Sequence, residues 1–402
     1  MHPVVKRSLR RAWRDMRHVQ FGATSAHAVV VGPVDVATGS LLSLIDGTRG
    51  LPRLREEARA LGLPDGRVDA LLARLATAGL VDDPTGGGPD ADALRRRVGP
   101  ALDRLRPDLA SLSVVHPEPG AAMARLAGRA ALRVQVRGAG RVGAAIAATL
   151  SASGVGRVDV LDSGDTAPGD VAPGGLPDGA VGERRDAAAG RLVRKWAAVR
   201  PPRAACRQQR GGTARDEPPL SLVVIAPRDG LAVYAPDPAV AEQWVATGTP
   251  HLYAGVLEGT GMVGPLVLPG GSACAGCLQE ARTDRDPAWP RMLAQWRSGR
   301  DATLAGPCDL GLATAVAGLA AAHALAFLDG DVPSGTGARW EVSLPLLEWR
   351  SELFRGHPDC LCGAVGQTGG ERATGAGVTA RRNERLSPAR GTAVCELEGR
   401  NV

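Results

Sequence analysis

The sequence is short of three things, and each shortage narrows its class. Aromatic residues make up only 3% of its 402 residues, although hydrophobic residues reach 44%, the level of a globular protein. The matching surplus of Ala, Arg, Gly and Pro reads as a coding bias, so composition alone separates few function classes. No apolar segment follows the basic stretch of Lys6, Arg7, Arg10, Arg11, Arg14 and Arg17, so we expect no secretory signal and a cytoplasmic protein. The longest apolar run, Leu310 to Leu328, is mostly Ala and Gly and carries His323, which predicts a buried helix rather than a membrane span. Excess charge is modest too. A net +6 from 48 basic and 42 acidic residues suits an Arg-rich solvated surface better than a nucleic-acid footprint. The seven cysteines, with no signal ahead of them, point to a reducing compartment where clustered thiols hold metal.

What the sequence does contain is organised around Ala131 to Asp162. Leu132, Val134 and Val136 alternate as a strand, and Gly138, Gly140 and Gly143 follow in the G-x-G-x-x-G spacing. An Ala-rich helical run, Val142 to Ser151, leads through Gly154 and Gly156 to a second strand, Val158 to Leu161, closed by Asp162. The first glycine permits a tight turn, the second lets backbone approach a pyrophosphate, and the third lets helix pack on strand. Phosphates then face the free N–H groups at the helix start. Asp162 falls 19 residues past Gly143, where a carboxylate can bond a ribose hydroxyl. Beyond it, a Gly-, Pro- and Asp-rich loop precedes a helix at 184–199. The continuous apolar run Leu220 to Ala226, a helix at 238–247 and a strand at 251–257 complete an alternating pattern. We therefore expect an α/β fold with a doubly wound, Rossmann-like parallel sheet.

Residues 1–92 read as a separate small domain, 93–130 as a connector, 131–363 as the α/β domain and 364–402 as a disordered tail with a lone Cys395. In the first domain, Ala26 to Gly32 alternates as a strand, Thr38 to Asp46 reads as a short helix, and Leu51 to Leu61 and Asp65 to Ala78 are amphipathic helices. Gly79-Leu80-Val81 begins a return strand. Strand, three helices and wing describe a winged helix. Its third helix offers Arg67 and Arg74 among Asp65, Asp69 and leucines, which is poor equipment for reading bases.

Two cysteine pairs carry the clearest ligand chemistry. Cys274 and Cys277 present two thiols from one turn, as do Cys360 and Cys362, and four thiolates satisfy tetrahedral zinc. A site closed by four protein ligands is structural. Cys308, in Pro307-Cys308-Asp309, has an acidic neighbour that raises a thiol pKa. By residue type it is either a packed cysteine or a weak candidate for catalysis. His323, on an Ala-rich face, reads as packed, and Arg282 to Asp286 reads as a self-paired surface turn.

Taken together, the glycine turn, the Asp162 strand end and the paired cysteines resemble the ThiF-type, ubiquitin-activating-enzyme-like adenylyltransferases. The segment VGPLVLPGGSACAGCLQEARTDRDPAWP and the closing HPDCLCG are similar to the cyclodehydratase-associated branch of that superfamily. The pattern at residues 26–83 resembles the PqqD-like leader-recognition element, in which an extended peptide adds a strand to a sheet edge. The resemblance spans roughly residues 10–363. It implies a structural zinc on Cys274, Cys277, Cys360 and Cys362, and a nucleotide site of Gly138, Gly140, Gly143, Asp162, Arg185 and Asp229. It also places Cys308 where superfamily members carry a thioester or persulfide.

The departures from that pattern matter. Pro173 stands where a phosphate-binding Arg is expected, the helix-start Lys becomes Arg185, and the magnesium-ordering acid is matched only by Asp229 in IAPRDG. Adenylation needs cations on the triphosphate and a metal-bound carboxylate. The resemblance therefore implies a protein that binds a ribosomal precursor peptide at Ala26–Gly32 and presents it to a YcaO-type partner, as a homodimer with a degenerate ATP/Mg site. The alternative is an active adenylyltransferase for a small carrier protein or peptide. We expect no membrane or nucleic-acid partner.

Overall fold

The structure, a computed structural model, describes residues 1–99, 101–199, 218–298, 306–364 and 393–396. The chain forms two units, Met1–Gly128 with Asn383–Val402, and Arg129–Arg382.

In the first unit the elements run β1 (Val4–Val5), β2 (Arg11–Trp13), β3 (Val19–Phe21), β4 (Val29–Gly32), α1 (Val36–Leu44), α2 (Leu51–Ala60), α3 (Arg67–Thr77), β5 (Val81–Asp82), then α4 (Gly88–Val98), α5 (Ala101–Arg104), α6 (Arg106–Val115) and α7 (Ala121–Arg129), whose last residue lies in the second unit. Asp35 caps α1, accepting from the Thr38 N–H at 2.6 Å. Val68, Leu71, Leu72 and Leu75 put one face of α3 into a core with Phe21, Val31, Leu41, Ile45 and Leu54. The basic leading stretch, read above only for charge, carries β2 and lies between the short strands β1 and β3. The return strand expected at Gly79–Val81 pairs with β1 in its own two-stranded ladder and not with β4. The sheet containing β4 has the order β13-β4-β3-β2, where β13 (Ala393–Glu396) comes from the carboxy-terminal tail. Part of the tail expected to be disordered is thus a strand. Residues 365–392 and 397–402 lie outside the described residues.

The second unit runs β6 (Arg133–Arg137), α8 (Arg141–Ala152), β7 (Arg157–Leu161), α9 (Arg185–Trp196), β8 (Leu222–Ile225), α10 (Leu231–Tyr234), α11 (Pro238–Ala246), β9 (His251–Leu257), β10 (Thr260–Val267), α12 (Ala275–Arg285), α13 (Trp289–Ser298), α14 (Leu310–Leu328), β11 (Ala338–Ser343) and β12 (Glu348–Leu353). One seven-stranded sheet has the order β12-β11-β10-β9-β8-β6-β7. Strands β7, β6, β8 and β9 are parallel neighbours, as the alternating pattern predicts. The wholly parallel sheet is corrected beyond β9, where β10, β11 and β12 run antiparallel. The cause is local. Glu258 and Gly259, at φ 50° and 74°, separate paired Leu257 and Thr260. A two-residue turn with both φ positive closes a hairpin and leaves no room for a crossover.

Helices cover both faces. On one, α8 and α14 pack with Val134, Val136, Val224, Leu252 and Ala254. On the other, Ala241 and Trp244 of α11 and Leu278 of α12 pack with Val223, Ile225 and Tyr253. Helix α14 has the length and hydropathy to cross a membrane, yet Leu312, Val316, Ala320 and Ala324 are buried in the sheet's core. Just past its end, Asp329 holds Arg129 in a buried two-bond pair at 2.7 and 2.5 Å.

Candidate nucleotide pocket and thiol cluster

The glycine turn joins β6 to α8 at the carboxyl ends of the parallel strands, where open α/β sheets bind ligands. Gly138 has φ +105°, and a Cβ there would lie 2.0 Å from the Ala226 carbonyl oxygen at the end of β8. A Cβ on Gly143 would lie 2.1 Å from the Gly138 carbonyl oxygen, so the turn can close on the helix only with glycine at both positions. Gly140 lies under Arg228, whose Cγ is 2.9 Å from where its Cβ would be.

Beside this turn is a cavity of about 360 Å³ lined by Gly138, Asp162, Arg185, Arg228, Trp244 and Tyr253, among others. Asp162 accepts from the Ala139 N–H at 2.6 Å and from Arg185 Nε at 3.0 Å. Arg185, the first residue of α9, also donates to the carbonyls of Asp165, at 2.5 Å, and Ser163. Arg228 Nε lies 2.7 Å from the buried Asp170 carboxylate, while its side chain stays 41% exposed. Arg137, also lining the cavity, stacks over Trp244 at 4.9 Å, and burial lowers its pKa. Three guanidinium groups therefore line a cavity to which the sequence motif assigned only Arg185.

The residues fit a nucleoside phosphate in part. The Gly138 turn and the α8 amino terminus would take phosphate, and Arg228 and Arg185 would neutralise it. Asp162 keeps lone pairs for a ribose hydroxyl despite its two partners. Asp229, expected to hold magnesium, accepts from the Leu231 N–H at 3.0 Å at the start of α10. Sequence reasoning missed Arg137, Asp170, Arg228, Trp244 and Tyr253. Arg137 and Arg228 carried a usable signal, since each stands at or just past the carboxyl end of a parallel strand. Trp244 and Tyr253 carried none, because they reach the cavity only through packing of α11 on the sheet.

Cys308 enters this region through its backbone, its carbonyl accepting from Arg141 Nη1 at 2.7 Å. Burial pushes its thiol pKa up, the direction opposite to that of a reactive thiolate. His323 Nδ1 meets the Leu319 carbonyl at 2.9 Å inside α14, the packed arrangement its apolar face suggested.

The other candidate site is built at the head of α12. Cys274 stands at the residue before the first turn of the helix and Cys277 lies in that turn, while Cys360 and Cys362 come from the chain after β12. Their four sulfur atoms lie within 4.8 Å of one another. The measured edges are 3.9 Å for Cys274–Cys277, 3.5 Å for Cys274–Cys360 and 3.4 Å for Cys277–Cys362. Zinc–sulfur bonds of 2.3 Å at tetrahedral angles give an edge of about 3.8 Å. The cluster can hold a metal ion, and with four protein ligands its role would be structural. Hydrogen bonding by Cys274, with help from the His357 backbone N–H, pulls the Cys277 thiol below its usual range. His357 is fixed in turn by Asp284 at 2.8 Å. The charged segment Arg282 to Asp286 is therefore not the self-paired surface turn expected: it closes α12, and Arg282 is buried over the Tyr234 and Trp289 rings while donating to the Tyr234 carbonyl at 2.8 Å.

A comparison with protein families matches residues 125–364 to the ThiF family. The chain belongs to the ThiF family. Solved structures extend the likeness across both units. The microcin C7 biosynthetic enzyme MccB in complex with N-formylated MccA superimposes with a TM-score of 0.61 at 14% identity, covering 90% of this chain and 99% of that one. E. coli MccB with ATP gives 0.59 at 15% identity over the same shares. PaaA gives 0.60 at 16% identity, over 87% of this chain and all of that one. At these identities the likeness is one of fold. None of the curated proteins matches the chain by sequence.

Proposed function

We propose that this ThiF-family protein captures a ribosomal precursor peptide through the winged-helix-like first unit and presents it to a YcaO-type cyclodehydratase, acting as a cytoplasmic homodimer. The observation that carries the reading is the edge of β4 away from β3, where the chain's own β13 is already seated as an added parallel strand. Strand addition satisfies an edge's free backbone groups and leaves side-chain pockets to set specificity. The fold likeness to an MccB structure solved with N-formylated MccA supports a peptide in this role. Zinc on the four cysteines would pin the chain after β12 to α12 and contribute no chemistry. Titrating the full chain with labelled precursor peptides encoded beside its gene should give saturable binding, and no binding by any of them would end the proposal.

A second reading has its own observation, the cavity ringed by Arg137, Arg185 and Arg228. These arginines favour retained ATP binding and, with it, adenylation of a peptide or carrier carboxylate. In that reaction the carboxylate oxygen attacks the α-phosphorus and pyrophosphate leaves. Calorimetry with magnesium ATP, together with pyrophosphate exchange in the parent and in Asp162→Ala, separates the readings. Exchange abolished by the substitution supports the enzyme, and no heat at millimolar nucleotide excludes it.

A further inference from the structure

Strand β4 has two edges. One pairs antiparallel with β3, with Val31 opposite Val19 and Val29 opposite Phe21. The other is occupied by the chain's own carboxy-terminal segment. Strand β13 runs parallel to β4, with Ala393 opposite Val29, Val394 opposite Val30, Cys395 opposite Val31 and Glu396 opposite Gly32. The register puts Cys395 on the same sheet face as Val31, the face that joins the core with α3. Cys395 is half-buried against that core, and its sulfur lies 3.9 Å from the Arg74 carbonyl of α3. The tail thus enters a groove with the β4 backbone on one side and α3 on the other.

The tail's sequence suits this seat. Across residues 366–402, Ala393-Val394-Cys395 is the longest unbroken apolar run, set among Gly, Arg, Glu, Ser and Thr. Four residues of ladder make a short strand, the kind that opens locally without global unfolding. Held on the same chain, it competes with an incoming peptide intramolecularly, independent of protein concentration.

We propose that β13 is a resident occupant of the peptide-accepting edge of β4, and that an incoming precursor segment binds there by displacing it. The inference rests on the peptide-capture reading and adds both a ligand preference and a control. The tail displays the ligand class: an extended segment, parallel to β4, with a small apolar side chain opposite Val31 and facing α3. The control is competition, since a free peptide engages only the fraction of molecules whose tail has lifted and its apparent affinity falls by that fraction.

Cys395 supplies the test, because burial raises its thiol pKa and the seat shields it. In the unmodified full chain, alkylation of Cys395 followed by peptide mapping should run about tenfold or more slower than in a synthetic peptide of residues 389–400. A saturating precursor peptide should restore the fast rate. In parallel, the labelled 389–400 peptide should bind a chain carrying both Val394→Pro and Cys395→Pro about tenfold more tightly than the parent, because successive strand N–H groups face opposite sides and one of the two prolines therefore removes a ladder bond from the resident strand alone. Alkylation of the parent at the free-peptide rate, or equal binding to both chains, overturns the proposal. The alkylation result stands even if the proline variant fails to fold. Protection that disappears on dilution would assign the strand to a second copy and overturn the intramolecular seat. If the tail peptide discriminates between the chains while no precursor peptide competes, the seat stands and peptide capture fails. If precursor peptides bind without changing Cys395 reactivity, capture stands and this inference fails.

Discussion

At the glycine turn, Asp162 already has Arg185 and the Ala139 N–H, and Asp170 has Arg228. At the head of α12, four sulfur atoms crowd within 4.8 Å of one another. The first place balances its charges with the chain's own groups, so a ligand entering it must compete with existing pairs. The second is unfavourable as soon as more than one thiol ionises, unless a cation sits among them. Two sites in one unit thus differ in what their emptiness costs. The cavity should tolerate being empty, and the cluster should not.

The largest expected effect follows directly. Stripping zinc from the zinc-loaded chain with a strong chelator, or replacing Cys277 with Ser before loading, should lower stability by about 5 kcal/mol or more, since a zinc held by four thiolates couples its binding energy to folding. Metal analysis paired with thermal melts checks this, and an unshifted melt after demonstrated zinc loss would break the contrast. The next effect calibrates the scale away from both sites. Asp329→Ala leaves the Arg129 guanidinium buried without its two-bond partner, and breaking such a pair costs about 4 kcal/mol. Urea unfolding should place it between the metal and cavity variants.

His251 extends the contrast to pH. Its ring is fully buried between Trp244 and Tyr253, with centroids at 5.4 and 5.7 Å, and burial pulls its pKa from 6.5 down to about 4. Between pH 6.5 and 4 the unfolded chain binds a proton here that the folded chain refuses, so stability falls as pH falls through that window. The full loss is about 3 kcal/mol. Stability measured from pH 7.5 to 4 in the parent and in His251→Phe should show a flatter acid limb in the variant. Parallel limbs would mean that the imidazole charges without penalty.

How much of this was legible beforehand depended on how far along the chain each partner lies. Gly138, Gly143 and Asp162 were readable because one strand-turn-helix-strand unit fixes their spacing. The thiol cluster was readable because each pair is set by a single turn, and pairing the pairs needed only tetrahedral valence. Arg228 and Arg137 were harder, since the motif looks for a cation after Asp162, whereas the fold delivers these two from the ends of β8 and β6. Replacing an expected Arg by Pro173 therefore did not empty the cavity of positive charge. The antiparallel strands beyond β9 turned on a two-residue Glu-Gly turn. Strand β13 was invisible because four residues of modest β propensity in a polar tail carry no periodicity, and their pairing depends on an edge more than 350 residues upstream.

The smallest effect tests the cavity's self-sufficiency most sharply. Arg185→Ala removes the main cationic partner of Asp162, whose side chain is 8% exposed. The carboxylate keeps the Ala139 N–H, and the space vacated opens onto the cavity, where water can reach it. The cost should therefore be about 2 kcal/mol, the penalty of one under-satisfied buried acceptor, and not the larger figure for a sealed ion pair. In the double variant with Asp162→Ala, the losses should not add, because each single substitution already removes the same interaction. A coupling energy near zero would mean that Arg185 is held by the Ser163 and Asp165 carbonyls alone. Asp162 would then be free for a ligand, and the contrast between a self-balanced cavity and a cation-demanding cluster would fail at its first term.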